Sequence, residues 1–182
     1  MICSQFPECV ESLANGAPCK DTQRKEQCVV SRNVSHPCCK EKRKSYTLDM
    51  TKTEVETLVL VYRIDGGVIT GTDEKKCDYA IIIQSGQNGG KGQAVLVELK
   101  GKHLGEAMDQ LDSTLKIGIV KEISRSHKMY GRIVHKNSPP NIGGATAAFR
   151  KLRERFHKAG GNLKKGEVRF TERYADLDRD RV

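Results

Sequence analysis

Asp78-Tyr-Ala-Ile-Ile-Ile83, followed across a glycine-rich connection by Ala94-Val-Leu-Val-Glu-Leu-Lys100, is the pair of segments on which the fold turns. Each is a short, largely apolar run bounded by turn residues, the signature of a strand. Side chains alternate along a strand, so Glu98 and Lys100 share one face and Leu99 takes the other. If the two runs pair as a hairpin through Ser85-Gly-Gln-Asn-Gly-Gly-Lys-Gly92, Asp78 lies beside Glu98 at one end of the sheet. An acid between Val97 and Leu99 breaks the apolar pattern, and such breaks are expected at functional positions. Two carboxylates can hold Mg²⁺, which polarises a phosphodiester and lowers the pKa of a bound water. The lysine would stabilise developing negative charge or orient that water. The competing reading is an ordinary surface pair of Glu98 and Lys100.

Upstream, Thr57-Leu-Val-Leu-Val-Tyr-Arg-Ile64 reads as a further strand, stopped by Asp65-Gly-Gly67 and turned into a short partner, Val68-Ile-Thr70. Downstream, Leu104, Ala107, Met108, Leu111 and Leu115 recur at the spacing of an amphipathic helix, weakened at its end by Gly118. Arg132-Ile-Val-His135 is expected as a strand and residues 137–144 as a proline- and glycine-set loop. A second helix is predicted over 145–158, ended by Gly160-Gly161, with a last strand at Glu167-Val-Arg-Phe170. The class is α/β. Residues 1–44 form a Cys-rich N-terminal segment, 45–175 the α/β domain, and 176–182 a charged tail expected to fray.

Asp78, then Val95-Leu-Val-Glu-Leu-Lys-Gly101 twenty residues on, then Gln110 on the following helix, resembles the signature of the PD-(D/E)XK nuclease superfamily, which includes restriction endonucleases. The resemblance implies a restriction-endonuclease-like fold, a mixed central sheet flanked by helices with an αβββαβ core. It implies a Mg²⁺- or Mn²⁺-dependent endonuclease that hydrolyses DNA, possessing Asp78 and Glu98 as metal-binding acids, Lys100 as catalytic lysine and Gln110 as a further catalytic residue. In that family an acid on the preceding helix often joins the metal site. Glu56, Glu54 and Glu41 are the candidates here, Glu56 preferred. Cys77 stands where the family often has proline. The resemblance covers residues 55–117. A restriction or defence role is one expectation, with a repair or structure-specific nuclease, or a non-cleaving nucleic-acid-binding protein of the same fold, as alternatives.

The 182-residue chain carries 32 Lys and Arg against 23 Asp and Glu, a net +9 that favours polyanionic partners. Residues 51–120 hold 8 basic and 10 acidic side chains, whereas residues 121–182 hold 16 and 7. The helix expected at 145–158 buries Phe149, Leu152 and Phe156 and leaves Arg150, Lys151, Arg153, Arg155 and Lys158 outward for a nucleic-acid backbone. His127, Lys128, Lys164 and Lys165 are expected to extend that patch, and Tyr130 and Phe170 leave base stacking open. His103 and His135 read as a surface and a structural histidine.

Six of the seven cysteines lie in the first 39 residues. Without a secretory signal they read as thiols or metal ligands rather than a disulfide framework. Structural Zn²⁺ on Cys19, Cys28, Cys38 and Cys39, with His36, stands against buried thiols, and the lack of any C-x-x-C pair favours the latter. No apolar run is long enough to span a bilayer, so no membrane association and a cytoplasmic location are expected. A homodimer is expected because duplex cleavage needs two cutting sites.

Overall fold

In a computed structural model that describes residues 3, 6, 8–14, 17, 28–53, 58–84, 90–100, 103–136 and 147–179, the chain begins with helix α1 (Glu8–Ala14) and strands β1 (Val29–Arg32), β2 (Cys38–Glu41) and β3 (Lys44–Asp49). Strands β4 (Leu58–Arg63), β5 (Tyr79–Gln84) and β6 (Gly92–Leu99) follow, then helices α2 (Leu104–Lys116) and α3 (Gly118–Ser126) and strand β7 (His127–His135). Helix α4 (Ala147–Lys158), strands β8 (Leu163–Glu167) and β9 (Arg169–Arg173) and a 3₁₀ turn at Tyr174–Asp176 complete the order.

These elements make a mixed α/β fold with two sheets, a six-stranded one ordered β1-β4-β5-β6-β7-β8 and a three-stranded one ordered β2-β3-β9. Strands β4, β5 and β6 form an antiparallel meander, as three apolar runs joined by turns require. Strand β7 lies parallel to β6 and β8 parallel to β7, so each connection must cross over a face of the sheet, through α2 and α3 and then through α4.

Both faces of the large sheet are buried, which is why its strands read as continuous apolar runs. Leu60, Tyr62, Ala80, Ile82, Ala94 and Leu96 face the helices. Their neighbours Val59, Val61, Ile81, Ile83, Val95 and Val97 face Tyr46, Leu48 and Phe170 of the small sheet. Phe149, Leu152 and Phe156 form the buried stripe of α4, as its periodicity predicts. Gly160 ends that helix at φ +83, with Gly160 N–H donating to His157 O and Gly161 N–H to Phe156 O, a paired closure that only a left-handed residue permits easily.

Several elements differ from the sequence reading. Val68–Thr70 forms no strand. It closes a tight turn around Gly66 with a single bridge, Asp65 to Ile69. Ile117 adopts an extended conformation and restarts the chain as α3, which the sequence pattern did not disclose. Strand β7 begins at His127, five residues earlier than expected, because residues 127–131 pair in parallel with residues 92–96 of β6. The boundary drawn at residue 44 falls inside the β2–β3 hairpin, and β1 pairs with β4, so residues 28–44 belong to the two sheets. The tail is packed at its start, where Leu177 is buried and its carbonyl accepts from Asn162 Nδ2 at 2.8 Å.

Arg132 is fully buried between the sheets. Its guanidinium meets Glu172 on β9, which also receives Tyr46 Oη at 2.6 Å and Lys164 Nζ at 3.0 Å. Its terminal nitrogens donate to the Gly131 carbonyl, to Asn162 Oδ1 and to the Leu177 carbonyl. A buried charge is tolerated only when it is paired and hydrogen-bonded in this way. No helix among the described residues is long and apolar enough to cross a membrane.

Candidate active site

Tyr79 pairs with Val97 in the β5–β6 ladder, and one rung further Asp78 stands opposite Glu98. Both have the parity of Ala80 and Leu96, so both acids lie on the helix side of the sheet. The two segments clasp each other. Leu99 N–H donates to Asp78 Oδ2 at 2.7 Å, and the Asp78 N–H donates to the Glu98 carboxylate.

Glu98 is 1% exposed, and its Oε2 has no hydrogen-bond partner among the described residues. Burial, reinforced by the charge of Asp78, pushes its carboxyl up to about 9, against the pull of Lys100 and the Asp78 amide. Asp78 is raised as well, first by burial, with the Leu99 N–H opposing and Glu41 and Asp65 adding repulsion. A buried carboxyl with an unsatisfied oxygen beside a half-buried carboxylate is a donor set for a hard cation. Among the described residues no group of three or more His, Cys, Asp or Glu side chains is gathered to hold a metal.

Lys100 follows Glu98 on the same face. Its ammonium donates to Gln110 Oε1 at 3.2 Å and pairs with Glu106 Oε2 at 3.0 Å, and the Glu106 hydrogen bond is the main cause of its raised pKa. Gln110 Nε2 in turn donates to the Lys76 carbonyl at 3.1 Å. Thr114, one turn on, accepts the Cys77 N–H at 2.8 Å and docks α2 against the entry to β5. Lys76, Lys100, Glu106 and Gln110 line one side of a cavity of about 360 Å³.

Asp78, Glu98, Lys100 and Gln110, four residues predicted as one site, therefore come together. Of the three candidate further acids, Glu41 is near enough for its charge to bear on both Asp78 and Glu98, while Glu54 and Glu56 lie outside the described residues. Sequence reasoning missed Lys76, Glu106 and Thr114. Glu106 carried a usable signal, since it sits one helical turn before Gln110, whereas a buried lysine in the polar run Asp73-Glu-Lys-Lys76 had none.

On α4, Arg150, Lys151, Arg153 and Lys158 are exposed as expected. Arg155 is instead half-buried and paired with Asp112 of α2. The expected extension of that patch fails at two positions, because His127 is buried and Lys164 is buried against Glu172. Lys128 pairs with Asp178. Tyr130 and Phe170 are buried and offer no ring for base stacking.

The zinc candidates are not brought together. Cys28 packs on the helix side of the large sheet, Cys39 packs in the core between the sheets, and alternation turns Cys38 away from Cys39. Cys19 lies outside the described residues, and His36 pairs with Asp49 at 3.6 Å. Burial pushes the Cys39 thiol up, which disfavours the thiolate that zinc requires. No family model, curated protein or solved structure matches this chain.

Proposed function

We propose that this chain is a divalent-metal-dependent endonuclease of restriction-endonuclease-like fold that hydrolyses DNA phosphodiester bonds. The observation that carries the reading is the Asp78–Glu98 pair, a buried Glu98 carboxyl raised by the charge of a half-buried Asp78 and with one oxygen lacking a donor among the described residues, beside the ammonium of Lys100. The order of an antiparallel meander, a helical crossover and a parallel fourth strand also accords with that fold.

The residues fit a hard cation. Mg²⁺ needs few protein carboxylates and completes its shell with water and substrate phosphate, so a pair suffices. Asp78 and Glu98 would hold it, and when bound it would supply neutralisation of phosphate charge and activation of water. Asp78 is oriented by the Leu99 N–H, and Glu98 by the Asp78 N–H, so neither carboxylate has to reorganise. Lys100, kept protonated by Glu106, offers positive charge to a phosphate oxygen on the same face. Arg150, Lys151, Arg153 and Lys158 would contact the nucleic-acid backbone. Because one such site cuts one strand, a homodimer is the expected form for cutting both strands.

The test is to incubate plasmid, linear duplex, single-stranded and branched DNA with Mg²⁺ or Mn²⁺, using the wild type and Glu98→Ala. Cleavage by the wild type alone supports the proposal. Intact DNA in every case, or undiminished cleavage by the variant, overturns it.

A further inference from the structure

We propose that Lys76 is a positioning residue for Lys100, acting through its own backbone carbonyl and the side-chain amide of Gln110. Lys76 is only 5% exposed, and three oxygens cage its ammonium, the Gly71 carbonyl at 2.5 Å, the Glu74 carbonyl at 3.2 Å and Asp65 Oδ1 at 3.3 Å. That cage gathers residues 65–74 around one side chain and fixes the backbone just before the site. The Lys76 carbonyl then receives Gln110 Nε2, and Gln110 Oε1 receives the Lys100 ammonium.

The direction of this relay is set by chemistry. A carbonyl can only accept and an ammonium can only donate, so the amide must present NH₂ to Lys76 and oxygen to Lys100. Glutamine is suited to both ends, since glutamate would set an acceptor against the carbonyl and lysine a donor against the ammonium. Lys100 has a second, exposed partner in Glu106, so without the relay its ammonium is free to swing toward solvent. Cys77 N–H on Thr114 and Asp78 on the Leu99 amide continue the same segment, and residues 76, 77 and 78 thereby align the lysine, the helix and the acid in turn.

The catalytic consequence rests on the nuclease reading, whereas the positional one does not. Lys76→Met keeps length and removes the caged charge, and Asp65→Asn, at an exposed position, loosens the cage more mildly should Lys76→Met not fold. The first readout is the Gln110 side-chain amide in ¹⁵N NMR spectra of metal-free protein. Its protons should exchange roughly tenfold faster in the variants, as expected for a lost buried hydrogen bond. The second readout is cleavage, with kcat falling roughly tenfold to a hundredfold while KM stays constant, the mark of misplaced geometry. Gln110→Met should reproduce that loss, and the double variant should be no worse than either single one. An unchanged Gln110 amide, or losses that add in the double variant, overturns the inference. If the wild type cuts no DNA, the nuclease reading fails and the amide exchange alone decides the relay.

Discussion

Asp78 and Glu98 face each other one rung beyond the Tyr79–Val97 pair that ends the β5–β6 ladder, and each takes a backbone N–H from the other's segment. The exchange satisfies one oxygen of each acid and leaves Glu98 Oε2 buried without a donor among the described residues. Without a cation the pair relieves its repulsion by holding a proton.

The stability of the metal-free protein should therefore fall as pH rises. Glu98 ionises near 4.5 when unfolded and near 9 when folded, so between those values the native state binds the extra proton. Folding then loses free energy with increasing pH until the folded pKa is passed. Urea midpoints taken across this window in EDTA should decline for the wild type and decline less for Glu98→Gln. Parallel slopes for the two proteins would show that Glu98 titrates normally.

Cation binding should expel that proton. Titration calorimetry with Mg²⁺ near neutral pH, in buffers of different ionisation enthalpy, should give about one proton released per ion. Glu98→Gln should bind more weakly and release none. A heat that does not depend on the buffer would contradict the assignment of the proton to this pair.

Glu172 holds three polar partners in the core between the sheets, Arg132, Lys164 and Tyr46. Glu172→Gln leaves two buried cations without their counter-charge, and a loss of about 3–5 kcal/mol is expected from breaking a buried pair on one side. Equilibrium urea denaturation measures it. A change below about 1 kcal/mol, the scale of exposed pairs, would mean that the network is hydrated.

The basic face of α4 separates into two roles. Neutralising exposed Arg150, Lys151 and Arg153 together should weaken duplex binding and reduce the slope of log K against log salt by roughly 2–3, near one per phosphate contact. Arg155→Ala should act mainly on stability, because Arg155 ties α4 to Asp112 of α2. Fluorescence anisotropy at several salt concentrations, alongside thermal melts, distinguishes these outcomes. An unchanged slope in the triple variant would remove α4 from the nucleic-acid surface.

The meander was legible because its strands are buried on both faces and contrast sharply with their glycine-rich turns. Parity along β6 was enough to put Glu98 and Lys100 on one face. Strand β8, Leu-Lys-Lys-Gly-Glu, was not legible, since its lysines look solvated until Glu172 is placed beside Lys164. The same holds for Arg132, whose burial depends on Glu172, Asn162 and Leu177 arriving from elsewhere in the chain.

Local pattern alone determined the three apolar strands, the buried stripe of α4 and the common face of Glu98 and Lys100, because side-chain period and turn residues act between near neighbours. Tertiary structure decided the parallel union of β3 with β9, the burial of Lys76, the two-ended orientation of Gln110 and the scattering of the cysteines to opposite faces of the large sheet. These rest on partners far apart in sequence, and a polar side chain becomes structural only once folding removes its water and supplies a partner of matching hydrogen-bond character.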